Sequence, residues 1–146
     1  MLIRAATLSD IVWLMQLARD AVTAARWTEE QYLAALTAEH PRRVILVAEV
    51  DRIIGFVVAS EAAGEWELEN VVVDEQSRRT GVGTRLVQEL LQRVQTSSGT
   101  AVLLEVRESN VEARKLYENL GFSASGRRRD YYHTPDEDAI LYSKNL

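Results

Sequence analysis

The 146 residues contain no cysteine. That excludes disulfides, thiolate metal ligands and thiol nucleophiles together. Histidine is scarce. His40 and His133 are far apart, neither has a second imidazole at ligand spacing, and no metal site is expected. Two prolines and seven glycines are too few, and too scattered, to mark a linker, so one domain over residues 1–146 is expected. No apolar run reaches the ~18 residues of a membrane span. The opening MLIRAATLSDI lacks the apolar stretch of a secretion signal. Together these point to a cytoplasmic chain with no membrane partner. A basic excess is also missing: 17 Lys and Arg face 22 Asp and Glu, a net charge of −5. That argues against a nucleic-acid-binding module and is compatible with an amine or a basic protein as partner.

Apolar residues make up 47% of the chain and charged residues 27%, ordinary values for a globular protein. Leu2–Ala5 reads as a short strand. Thr7 with Asp10 forms a capping box ahead of Ile11, Leu14, Met15, Leu17, Ala18 and Ala21 at helical spacing. Thr28 with Gln31 caps a second helix carrying Tyr32, Leu33 and Leu36. RRVILVAEV and IIGFVVAS read as a hairpin, followed by the strand EWELENVVV. In that strand Glu65, Glu67 and Glu69 share one face, with Trp66 and Leu68 on the other. A helix from Val82 to Val94 presents Leu86, Val87, Leu90, Leu91 and Val94. TAVLLEV reads as a strand buried on both sides. Asn110–Leu120 is a helix ending at Gly121, placed for a left-handed cap. Two further strands close the chain. The order β, α, α, β, β, β, α, β, α, β, β gives an α/β fold with a mixed sheet.

SRRTGVGTRL, residues 77–86, lies where a strand passes through a loop into a helix. A helix N-terminus carries unpaired N–H groups and partial positive charge, and glycine lets an anion reach them. Gly81 and Gly83 would supply that approach, with Arg78 and Arg79 nearby, although a plain turn with solvated arginines is the alternative. Two familiar phosphate patterns do not fit. G-x-x-x-x-G-K-[ST] is absent, and G-x-G-x-x-G fails because Leu86 occupies its third glycine position.

NVVVDEQSRRTGVGTRLVQELL resembles motif A of the GCN5-related N-acetyltransferase (GNAT) superfamily, and LLEVRESNVEARKLYENLGF is similar to its motif B. LEVRESN, LYENLGF and GRRRDYY followed by EDAI are most similar to the RimI type, enzymes that acetylate the N-terminal amine of a ribosomal protein. The resemblance covers nearly the whole chain. It implies a mixed, mostly antiparallel central sheet of about six to seven strands flanked by four helices. It implies acetyl-CoA as co-substrate, no metal, and a protein or peptide N-terminus as acceptor. RWTEEQY resembles the first acceptor-side loop, with Arg26 where a proline is usual, so the loop's shape and the acceptor preference stay open.

By that resemblance Val71, Val72, Val73, Arg78, Arg79, Thr80, Gly81, Val82, Gly83, Thr84 and Asn110 hold the cofactor. The valines act through main-chain groups, and Asn110 is at once a candidate helix cap, with Ser109 competing for that place. Glu105 is the candidate base, with Glu67 and Glu69 as rivals; a solvated strand-end carboxylate, or one paired with Arg107, is the plain alternative. Tyr117 is the candidate acid, seven residues after Asn110 and so on the same helix face, or else a core aromatic. Trp27, Glu67, Glu69, Tyr131 and Tyr132 are acceptor-side candidates, with ordinary strand aromatics as the alternative for the two tyrosines. Without cysteine, direct attack of the amine on the thioester is the simplest route. A small-molecule amine as acceptor, or a non-catalytic acetyl-CoA sensor, are the other readings.

Overall fold

A computed structural model describes residues 1–21 and 24–146. The strands are β1 (Leu2–Ala5), β2 (Arg43–Glu49), β3 (Ile53–Ala62), β4 (Glu65–Val73), β5 (Ala101–Arg107), β6 (Ser123–Tyr132) and β7 (Glu137–Asn145). The helices are α1 (Ile11–Asp20), α2 (Glu29–Thr37), α3 (Val82–Thr96) and α4 (Val111–Asn119). The sheet runs β1-β2-β3-β4-β5-β7-β6. Every neighbouring pair is antiparallel except β4 and β5.

Local chemistry sets the helix ends. The Thr7 box opens a short 3-10 turn, Leu8–Asp10, that runs into α1. The Thr28 hydroxyl accepts from the Gln31 N–H, and the Gln31 side chain accepts from the Thr28 N–H, at the start of α2. Asn110 caps α4 by accepting from the Ala113 N–H at 3.2 Å, while the rival Ser109 gives its own N–H to Glu137. At the far end, Gly121 takes a φ of 92°. There the N–H groups of Phe122 and Gly121 donate back to the carbonyls of Tyr117 and Glu118, a Schellman ending.

Two cores sandwich the sheet. On one side α3 and α4 press Leu86, Val87, Leu90, Val94 and Tyr117 against Trp66, Leu68, Val102, Leu104 and Val106. On the other, α1 and α2 place Leu14, Ala18, Tyr32 and Ala35 against Ile45, Val47, Phe56, Val58 and Val72. Gly55 is where α3 comes closest to the sheet: a Cβ there would sit 2.9 Å from the Val72 carbonyl oxygen and 3.2 Å from both Leu86 and Val82. The helices α1 and α2 stop short of β5, so the expectation that β5 is buried on both faces does not hold. Leu103, on its outer face, is 38% exposed.

Candidate active site

Only three residue pairs join β4 to β5, Glu65–Ala101, Trp66–Val102 and Glu67–Leu103. Past them no β4–β5 pair continues, although both strands run on. A cavity of about 490 Å³ lies along this split, lined by Glu67–Val71 of β4, Glu105–Arg107 of β5, Asn110 and Tyr117 of the α4 segment, and Tyr131 and Tyr132 of β6. Past the split Asn70–Val73 have no strand partner on β5, although the Val73 carbonyl accepts from Arg78 Nε at 3.4 Å, and unpaired strand groups readily bind an extended ligand.

A bulge at Glu69 sets which side chains face this opening. Val58 pairs with Asn70 and Ala59 with Leu68, leaving Glu69 unmatched. Before the bulge, even-numbered Trp66 and Leu68 join the α3–α4 core. After it, even-numbered Val72 joins the α1–α2 core, while Val71 and Val73 pack towards α3 and α4. One extra residue thus reverses the alternation of the strand.

Glu105 and Tyr117 come from opposite faces of the sheet and meet at the split. Glu105 is on the outer face of β5, its side chain 21% exposed, with one carboxylate oxygen 2.9 Å from Arg128 Nε. It does not pair with Arg107. That guanidinium binds Glu137 at 3.4 Å and lies 4.2 Å from the Tyr132 ring centre. Glu67 shares the face of Glu105. Partial desolvation raises its carboxyl above the usual glutamate range, Glu69 and Glu105 add to this, and Arg128 opposes it. Glu69 is tied to Arg43 at 2.9 Å. From the inner face Tyr117 reaches the cavity between Phe122 and Tyr142, with ring centres 5.7 and 6.4 Å away. Burial pushes its phenol above the ordinary range, and Tyr132 adds to this.

The second groove, about 430 Å³, lies at the start of α3 and shares Val71, Asn110, Ala113 and Leu116 with the first. Val72, Val73, Arg78, Arg79, Gly81, Val82, Gly83 and Thr84 line it. Gly81 has a φ of 88° with nothing within 4 Å of a would-be Cβ, so glycine is needed there for backbone conformation and not for room. Gly83 is the reverse: a Cβ would stand 3.1 Å from Leu116 and push on α4. Arg79 reaches Glu112 across the groove at 2.9 Å, both side chains well exposed. Thr80 is absent from the lining and turns its hydroxyl to the Ser77 carbonyl. Trp27 does not line the first cavity either. It packs 5.4 Å from the Tyr32 ring and 5.4 Å from the Arg43 guanidinium, and so props the arginine that holds Glu69. Among the described residues no cluster suited to a metal ion occurs, and no helix is long and apolar enough to cross a membrane.

The model of the acetyltransferase (GNAT) family matches residues 10–122. The chain belongs to the GNAT family. The [ribosomal protein bS18]-alanine N-acetyltransferase of Salmonella typhimurium is 39% identical over 93 residues, 62% of this chain and 63% of that protein. The enzyme of the same name from Escherichia coli is 37% identical over 92 residues, 62% of each chain. These alignments span less than two thirds of either relative. The crystal structure of the ribosomal-protein-S18-alanine N-acetyltransferase from Escherichia coli superposes with a TM-score of 0.88 at 27% identity, covering 99% of this chain and 93% of that one. The expected GNAT architecture is thus present, with seven strands and four α-helices among the described residues.

Two arginines around this GNAT cavity, Arg43 and Arg128, escaped the sequence reading, and a third, Arg107, entered it only as a partner for Glu105. Arg43, Arg107 and Arg128 each fix a carboxylate or an aromatic ring of the lining. The alternation along RRRDYY was the available signal for Arg128. It places Arg127 towards Glu108 and Asp138, and Arg128 towards Glu105.

Proposed function

We infer that this chain is an acetyl-CoA-dependent N-acetyltransferase that acetylates the N-terminal amine of a protein, with a ribosomal protein as the acceptor that its named relatives suggest. The carrying observation is the split between β4 and β5. It brings a carboxylate from the outer face and a phenol from the inner face to one cavity, with unpaired backbone groups of β4 alongside.

Acetyl-CoA fits the residues that are present. The groove at the start of α3 offers the N–H groups of Gly81–Thr84 and the charge of Arg78 and Arg79 to the pyrophosphate. Val71–Val73 would pair with the pantetheine as an added strand. When bound, the cofactor supplies the thioester carbonyl that the amine attacks. Glu105 takes the proton from the acceptor's ammonium, and Glu67 beside it adds negative charge that draws a cation in. A C–N bond forms as the C–S bond breaks, a β4 N–H steadies the developing oxyanion, and the second proton shed by the acylated nitrogen makes good the one that Tyr117 gives up. Tyr117 gives its proton to the departing sulfur. Its raised phenol stays protonated at neutral pH, and the desolvation that raises it makes a thiolate in the same pocket a stronger base.

Acetyl-CoA with a short peptide bearing a free N-terminus should release free thiol, and the same peptide with its amine blocked should not. Glu105→Gln should keep cofactor affinity and lose turnover by roughly 10²–10⁴-fold. Acetyl-CoA binding without turnover of the peptide, together with turnover of small amines, would replace the protein acceptor with a small-molecule one.

A further inference from the structure

Arg128 stands where the incoming amine must go. It is the ion-pair partner of Glu105, at 2.9 Å. A second cation brought to that carboxylate repels the first, so an ammonium engages Glu105 more readily as the guanidinium moves away.

Arg128 is placed to yield. Its side chain is 56% exposed, so its charge passes into water at little cost. It lies on β6, the edge strand, next to an irregular stretch where register is lost between Arg128 and Tyr132 and Asp130 takes a φ of 51°. Its guanidinium carbon is already 5.4 Å from the Tyr131 ring centre, a face on which a cation can rest. Its neighbours are held more firmly. Arg127 is pinned by Glu108 at 2.8 Å and Asp138 at 2.7 Å. Arg107 has both Glu137 and the Tyr132 ring. Arg43 grips both oxygens of Glu69 over Trp27.

We propose that Arg128 is an exchangeable counter-ion for Glu105, a positioning residue that holds the carboxylate in the cavity until the acceptor's ammonium takes its place. This rests on the reading of Glu105 as the group that receives the amine. Glu67 from β4 and Tyr131 and Tyr132 from β6 are close enough to this carboxylate to feel its charge, and all of them line the same cavity. The ammonium therefore enters a site already negative on the β4 side by exchange with the guanidinium, with no bare carboxylate to dehydrate. The cost of displacing Arg128 falls on acceptor binding, which sets KM when chemistry is slow.

The test is steady-state kinetics with acetyl-CoA and a free-N-terminus peptide for wild type, Arg128→Gln, Arg128→Ala, Arg128→Lys and Glu105→Gln. Removing the charge should lower the peptide KM by about 2- to 5-fold, with the gain carried by KM and not by kcat, as suits an exposed pair. Arg128→Lys, which keeps the cation, should keep the wild-type KM. Two charge-deleting variants are compared, and thermal melting shows that each is folded. An unchanged or higher KM in both, with Glu105→Gln inactive, overturns the role of Arg128 alone. Full turnover by Glu105→Gln overturns the base assignment and the counter-ion with it.

Discussion

Tyr117 and Tyr142 lie with ring centres 6.4 Å apart, both almost wholly buried, and should respond oppositely to loss of a single oxygen. The Tyr142 hydroxyl accepts from Arg114 Nε at 3.0 Å and donates to Glu118 at 2.8 Å, tying α4 to β7. Tyr142→Phe leaves both partners short of a bond. Arg114 is half-buried and also donates to the Glu108 carbonyl, while Glu118 is exposed and can turn to water. The loss should therefore sit near the lower end for hydrogen bonds to charged groups, about 1–2 kcal/mol. For a chain of this size that lowers Tm by roughly 3–6 °C. Tyr117 has no hydrogen bond of this kind among the described residues, and its surroundings are the cavity and two aromatic rings. Tyr117→Phe should leave Tm within about 1 °C, because no partner is orphaned. Its kcat should fall by roughly 10²–10⁴-fold, the usual worth of a positioned acid. Differential scanning fluorimetry and a thiol-release assay on the two variants suffice. A Tyr117→Phe enzyme with undiminished kcat would refute the acid assignment. A Tyr142→Phe protein as stable as wild type would refute the claim that this network fastens α4.

Two further substitutions probe the groove and the start of α1. Gly81→Asp puts a carboxylate and a strained left-handed backbone, about 1–2 kcal/mol, where the pyrophosphate is proposed to sit, and calorimetry should find acetyl-CoA binding abolished. Asp10 is buried and accepts from Arg4 at 2.8 and 3.1 Å and from the Thr7 N–H at 2.8 Å, and its carboxyl is held below the usual range, chiefly by Arg4. A lowered folded value means that its stabilisation is complete above the unfolded pKa and is lost as pH falls through the folded one. Asp10→Asn should therefore cost about 2–3 kcal/mol in urea melts at pH 7, with the gap to wild type closing as pH falls below the usual aspartate range.

The parts legible in the sequence were those set by neighbours along the chain. Thr7, Thr28, Asn110 and Gly121 marked helix ends because caps act over three or four residues. The Gly81–Gly83 junction was legible for the same reason. What was hidden depends on pairing between strands. Glu105 meets Arg128 instead of Arg107 because Arg107, two residues on, is drawn to the β7 carboxylate Glu137, while β6 turns Arg128 towards β5. TAVLLEV is as apolar as a central strand, and only the reach of α1 and α2 leaves Leu103 uncovered. Trp27 carries an acceptor-loop signature yet acts through Arg43, a contact across 16 residues that no local pattern reports.

The unmatched Glu69 also bears on how this strand can change over generations. Upstream of it, replacing Glu67 alters the cavity where the acceptor amine is proposed to enter. Downstream, replacing Val71 or Val73 alters the α3 side, where the thioester is proposed to lie. Point substitutions in the two halves are thus nearly independent. A change in length is not. Deleting one residue at the bulge would turn Asn70–Val73 over, carrying Val72 out of one core and its neighbours out of the other. Lineages descended from this chain can vary the cavity-facing residues of β4 while Trp66, Leu68 and Val72 stay apolar, but its residue count at this point is held almost fixed.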